Sequence, residues 1–131
     1  AKIEANHGGA DDAIMLDMQG FVSETNATNV FVIKRGELLT PHADSCLPGI
    51  TRGNVLRIAR DAGIPTTERN VSMTEVYTAD EAFTTGTMGE LSPVLDVDGR
   101  RIGAAAAGPV TQRLQALYAE MTAREGEPLP F

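Results

Sequence analysis

The 131-residue sequence predicts one mixed α/β domain, a strongly curved sheet flanked by helices, and three observations carry that prediction. Its strand-like segments come mostly as hairpins joined by short glycine turns. Two long segments show helical apolar spacing, and a third, short helix is announced by a capping box. Hydrophobic residues make up 42% and charged residues 22%, a balance that gives a chain of this length a core of its own. Hairpins in series exclude a regular β–α–β array, in which strands alternate with helices.

The chain opens with Ala1-Lys2-Ile3-Glu4-Ala5-Asn6, good helix-forming sequence that Gly8-Gly9 ends. It gives less than two turns and has nothing resembling a cap before Ala1. It reads as a helix met in mid-course, so the chain is expected to be the C-terminal piece of a longer protein. Residues 12–17 (DAIMLD) read as a buried strand, Met18-Gln19-Gly20 as a turn, and residues 21–24 as the return strand. Residues 29–34 (NVFVIK) form a further strand, which Arg35-Gly36-Glu37 turns into Leu38-Leu39-Thr40.

A loop over 41–46 leads to Leu47-Pro48-Gly49, a sharp bend, and Thr51 is placed to cap the helix that follows. That helix shows in the spacing of Val55, Ile58, Ala59 and Ala62, and Gly63 stops it. Residues 65–71 read as an edge strand, Ser72-Met73-Thr74-Glu75 as the capping box of a short helix, and 82–86 as a strand. Residues 91–97 pair with Arg101-Ile102 through an Asp98-Gly99 hairpin. The last helix starts at Pro109, a favoured first-turn residue, and carries a stripe of Val110, Leu114, Leu117, Tyr118 and Met121. The tail over 125–131 reads as a terminal strap.

A net charge of −7 makes a nucleic-acid backbone or an anionic membrane a poor partner. Any anion must be held by a local site working against the overall field. No apolar run reaches membrane-spanning length and no secretory signal pattern is visible. The single Cys46 rules out an internal disulfide framework and suits a reducing, cytoplasmic setting.

The most informative stretch is Leu47-Pro48-Gly49-Ile50-Thr51-Arg52. The first free N–H groups of its helix point beyond the turn, with the positive end of the macrodipole behind them, which is how backbone binds phosphate. Arg52 sits in the first turn, where a cation opposes the dipole, and a bound anion would remove the conflict. An ordinary capped surface helix explains the same residues. Glu24 stands in a run of small polar residues between two apolar strands, placed either to hold a protonated ring nitrogen or to be a solvated loop acid. Thr84-Thr85-Gly86-Thr87-Met88-Gly89 combines glycines with hydroxyls and amides suited to an anion, or is a sheet-edge bend. His7, His42, Cys46, Asp11 and Asp12 match no zinc or iron spacing, so no metal site is expected. Ser45 and Cys46 lack a neighbouring base and acid to make either a nucleophile.

Taken in order, AKIEA, AIMLDMQGFVSETNATNVFVIKRGELLTP, LPGITR, ADEAFTTGTMGELSPV, DGRRIG and GPVTQRL resemble the branched-chain aminotransferases and their fold-type IV relatives over nearly the whole chain. The resemblance implies a largely antiparallel pseudo-barrel, the large C-terminal domain of such an enzyme, filling residues 1–131. It also implies pyridoxal 5′-phosphate as cofactor, amino acid and 2-oxo acid substrates, and a homodimeric parent.

Residue by residue, Glu24 matches the carboxylate that pairs with the pyridine nitrogen and keeps the ring electron-withdrawing. Leu47 matches the residue packed on the ring face. Ile50 and Thr51 match phosphate donors, Thr87 a further phosphate ligand, and Thr87 with Met88 a position near the substrate carboxylate. The family's Schiff-base lysine falls upstream of Ala1, together with the small N-terminal domain, so no catalytic residue is expected here and the chain alone is expected to be inactive. Lys2 and Lys34 read as solvated. Thr25-Asn26-Ala27-Thr28 replaces a glycine-rich loop and Met88-Gly89 replaces a pair of small residues. An aliphatic, branched-chain substrate is the expectation. Aminodeoxychorismate lyase, D-amino acid aminotransferase and a non-catalytic domain are the alternatives.

Overall fold

An apolar run with no alternation must be covered on both faces, and Asn29–Lys34 (β1) is such a run. A computed structural model describes residues 1–126 and places β1 at the centre of a five-stranded sheet. Glu37–Thr40 (β2) pairs with it antiparallel through the two-residue turn Arg35-Gly36, both at positive φ (52° and 77°). Such a turn follows the natural twist of the strands. Glu81–Gly86 (β4) pairs antiparallel on the other side of β1, and Glu90–Pro93 (β5) beyond it. Thr66–Glu68 (β3) lies parallel to β2 at the opposite edge. The antiparallel-dominated sheet flanked by helices is the predicted class.

Phe31 and Ile33 of β1 and Phe83 of β4 face two long helices, Ile50–Asp61 (α2) and Pro109–Arg124 (α4), with Val55, Ala59, Leu114 and Tyr118 closing the layer. The Phe31 and Phe83 rings stack with centroids 5.0 Å apart. Val30 and Val32 face the other way, into a second cluster with Val22, Val71 and Val76. That side is covered by the short helix Met73–Tyr77 (α3) and by the ribbon Asp96–Val97 (β6) and Arg100–Arg101 (β7). Asp98-Gly99 turns the ribbon as predicted, with φ of 54° and 76°. A first helix, Lys2–His7 (α1), ends at Gly8. Among the described residues no helix is long and apolar enough to cross a membrane.

Four local expectations need correction. Residues 12–17 are not a buried strand: they are irregular, joined to residues 21–24 by one isolated bridge, Leu16 to Val22, with Leu16 48% exposed. Met15 still bonds to the return segment, its N–H donating to the Glu24 carbonyl and its carbonyl accepting from Ser23 N–H, but only Ile14 reaches the second cluster, so the segment lacks a covering layer. The edge strand shrinks from 65–71 to three residues. The 91–97 strand divides, because the ladder with β4 ends at Pro93 and a separate ribbon begins at Asp96. Thr51 does not cap α2, since Gly49 is the N-cap and its carbonyl already accepts from Gly53 N–H at 2.9 Å. Of the predicted terminal strap, residues 127–131 lie outside the described residues.

The capping box of α3 forms in both directions: Ser72 N–H donates to Glu75 Oε2 at 2.9 Å and Glu75 N–H to Ser72 Oγ at 3.3 Å. Arg69 adds a 2.7 Å ion pair to Glu75 Oε1. Arg69, then the Ser72 backbone, hold the Glu75 carboxyl down to about 2 against an ordinary 4.5. The ionised form is the one the fold favours, so its contribution is complete above the unfolded value and fades as pH falls from about 5 towards 2. Glu75→Gln is expected to lose about 1–2 kcal/mol at neutral pH, a range reduced for the solvent that reaches the pair. Urea titrations at several pH values check this: the gap to the parent protein should close as pH approaches 2.

Candidate functional site

At one end of the sheet the face towards α2 and α4 changes from apolar to polar. The rows that carry Phe31 and Phe83 continue to Asn29 and Thr85, which lie directly opposite each other in the ladder. The start of α2 approaches this end, and a cleft of about 120 Å³ opens there. Its walls are the 24–29 loop, the Leu47–Ile50 turn with Thr51, and the end of β4 running into Thr87.

The Leu47 peptide is gripped from two sides. Its N–H donates to Glu24 Oε2 at 3.0 Å, and its carbonyl accepts from Asn29 Nδ2 at 2.8 Å. Gly49 N–H also donates to the Leu47 carbonyl at 2.8 Å. A Cβ on Gly49 would sit 2.4 Å from Asn29 Oδ1, so the close approach of turn and strand requires glycine there. One carboxylate oxygen of Glu24 is fixed by backbone, and the other has no hydrogen-bond partner among the described residues.

The two long helices end differently. At α4, the buried Glu81 carboxylate accepts from Val110 N–H (3.0 Å), Thr111 N–H (2.8 Å) and the Thr111 hydroxyl (2.7 Å). At α2, no acid lies in the first turn and, among the described residues, no side chain caps it. The N–H groups of Ile50, Thr51 and Arg52 have no acceptor within the helix and face the cleft end with the dipole behind them. One helix start is filled by the protein's own carboxylate, and the other is built the same way without one.

Arg52 does not wait for an anion at the turn. It is 5% exposed and donates to Pro41 O at 2.9 Å and to Glu68 Oε2 at 2.8 Å, while Arg60 binds Glu68 Oε1 at 2.9 Å. The hydrogen bond from Arg52, with that from Arg60, holds the Glu68 carboxyl below its usual range. Glu68 therefore relieves the conflict with the dipole and anchors the 41–46 loop beside the helix start. Burial pushes the Cys46 thiol up, against the pull of Arg52.

Glu24, Leu47, Ile50, Thr51 and Thr87 all line this one cleft. Met88 does not: it follows Thr87 in the turn with its side chain wholly exposed. Leu47 (71% exposed) and Ile50 (84%) form an apolar rim beside it. Sequence reasoning missed Asn29 and Glu81, whose partners are distant in the chain, and Thr85, which it read only as part of a polar turn. Thr85 is 2% exposed, and its hydroxyl has no hydrogen-bond partner among the described residues.

Comparison with known proteins shows the family. The family described as amino-transferase class IV matches residues 1–97. The chain is 57% identical over 130 residues to branched-chain-amino-acid aminotransferase-like protein 2 of Arabidopsis thaliana, covering 99% of this chain and 23% of that protein. The branched-chain amino acid aminotransferase from Escherichia coli superposes with a TM-score of 0.90 at 38% identity, over 99% of this chain and 44% of that one. The branched-chain amino acid aminotransferase from Thermobaculum terrenum, solved in its PLP-form, gives a TM-score of 0.88 at 38% identity, over 92% of this chain and 40% of that one. The chain thus spans less than half the length of these relatives. With most of its residues matching one family and its fold superposing on solved members, the chain belongs to the class IV aminotransferases.

Proposed function

We propose that the protein carrying this chain is a pyridoxal 5′-phosphate-dependent aminotransferase that converts an aliphatic, branched-chain amino acid to its 2-oxo acid. This chain is its cofactor-binding domain. The observation that carries the reading is the start of α2, whose first N–H groups have no acceptor among the described residues, which has no acid in its first turn and which shares a cleft with the Glu24 carboxylate. The donor set fits the group: helix N–H for a phosphate, a half-fixed carboxylate for a ring nitrogen, and the Leu47 side chain for an aromatic face. When bound, the cofactor supplies an electron-withdrawing ring that makes the α-proton of an amino acid acidic.

Each of this chain's residues then has a part. Ile50 and Thr51 bind the phosphate, with Thr87 adding a hydroxyl. Glu24 keeps the ring nitrogen protonated, its orientation set by the Leu47 N–H. Thr87 lies towards the substrate carboxylate. Lys34 is spent on Thr78, and Lys2 on Asp11 and Asp12, so the amine that anchors the cofactor and moves the proton is assigned to a lysine outside this chain. The exposed Leu47, Ile50 and Met88 suit contact with the rest of a homodimeric parent, and the lone Cys46 suits the cytoplasm.

The test uses the full-length gene product. It should take up pyridoxal 5′-phosphate and form glutamate from leucine and 2-oxoglutarate. Pyruvate release from aminodeoxychorismate without transamination would replace this reading by the lyase, and failure to take up the cofactor would sink both.

A further inference from the structure

We propose that Thr85 is a further ligand of the anionic group held at the start of α2, its hydroxyl donating to a phosphate oxygen. The assignment rests on the cofactor reading above and extends it to a residue that reading does not use.

Thr85 sits in the middle of the sheet, paired with Asn29 on one side and Leu91 on the other. Its backbone is part of the ladder, so the hydroxyl is the one polar group of the residue left to place. A buried hydroxyl without a partner costs stability, and valine would fill the same space without that cost. Among the described residues, two buried side-chain polar atoms lack a partner, Thr85 Oγ1 and Arg52 Nε. Both belong to the segments that meet at the cleft end of the sheet, Arg52 in the first turn of α2 and Thr85 near the end of β4.

Position selects the ligand class. Thr85 is two residues beyond Phe83 in β4 and so faces the same side, the side from which α2 approaches, and Thr87 in the following turn lines the same cleft. Thr85 lines the same cleft as Thr51 and lies at its floor. A phosphate dianion accepts hydrogen bonds and donates none, and a threonine hydroxyl can rotate to donate. A phosphate held at the start of α2 would supply the partner that Thr85 lacks among the described residues. On this account Thr85 costs stability in the ligand-free protein and returns it as affinity.

The experiment compares the full-length protein with Thr85→Val and Thr85→Ser, each in apo form. It measures thermal midpoints and titrations with pyridoxal 5′-phosphate, pyridoxal and inorganic phosphate. Thr85→Val is expected to raise the apo midpoint by about 2–5 °C, because an unpaired hydroxyl is removed. It should weaken both phosphate-bearing probes about tenfold, the share of one charge-assisted hydrogen bond, and leave pyridoxal unchanged. Thr85→Ser, which keeps the hydroxyl, should bind like the parent. Equal affinity of Thr85→Val for the phosphate probes would overturn the assignment while leaving the cofactor reading intact. So would a lowered apo midpoint, which would mean that the hydroxyl already has a partner in the protein. If the parent protein itself binds none of the probes, the cofactor reading fails and Thr85 falls with it.

Discussion

Glu81→Ala is expected to lower the unfolding free energy by about 3–4 kcal/mol, the range for stranding buried donors and opening a void together. The carboxylate is 7% exposed and satisfies two helix N–H groups and a hydroxyl at the start of α4. It also lies hard against the N-cap: a Cβ on Gly108 would come within 2.2 Å of Glu81 Cδ. Alanine leaves Val110 N–H, Thr111 N–H and the Thr111 hydroxyl without an acceptor where water cannot easily follow. Glu81→Gln keeps the volume and one acceptor oxygen but gives up the charge that complements the helix dipole. It should therefore cost less, about 1–2 kcal/mol. Urea denaturation of both variants gives the answer. A loss below about 1 kcal/mol for alanine would show that the helix start is satisfied by other means.

The contrast between the two helices also marks what could be read from residues alone. Features set by neighbours in the chain were legible: the Asp98-Gly99 turn, the Ser72–Glu75 box, Pro109 opening α4, and the glycine turn between β1 and β2. Each depends on the conformational preference of two to four adjacent residues. Features set by distant partners were not. Glu81 meets α4 about thirty residues on, Asn29 meets Leu47 eighteen residues on, and Arg52 meets Glu68 sixteen residues on. None of the three pairs leaves a mark in local spacing.

The reading of residues 12–17 as a buried strand failed for a related reason. An apolar run of four, Ala13 to Leu16, shows that a strand is favourable, but burial depends on whether another layer covers it, and only Ile14 meets the second cluster. The cleft stood between these cases. The turn into α2 was visible as a helix start that could hold an anion, and resemblance to a family gave Glu24 and Thr87 their parts. The grip of Asn29 and Glu24 on the Leu47 peptide, which fixes the turn in place, needed the fold.

That grip makes Gly49→Ala the sharpest functional test. Gly49 has φ −57° and ψ 144°, values alanine adopts freely, so the backbone itself is not strained by the change. The obstacle is Asn29, whose Oδ1 would lie 2.4 Å from the new methyl while its Nδ2 holds the Leu47 carbonyl. Asn29 is 5% exposed and has little room to withdraw, so the turn must move away from β1 and carry the first N–H groups of α2 with it. Donors displaced by about 1 Å lose much of their hold on a ligand, and about a hundredfold loss of pyridoxal 5′-phosphate affinity is expected. Four residues on, Gly53 supplies the control, because a Cβ there meets nothing within 4 Å. Gly53→Ala should stabilise α2 by about 0.5–1 kcal/mol and leave affinity unchanged. Cofactor titrations of the two variants separate placement of the turn from stability of the helix. Equal affinities would mean that the cleft does not depend on the packing of Gly49 against Asn29.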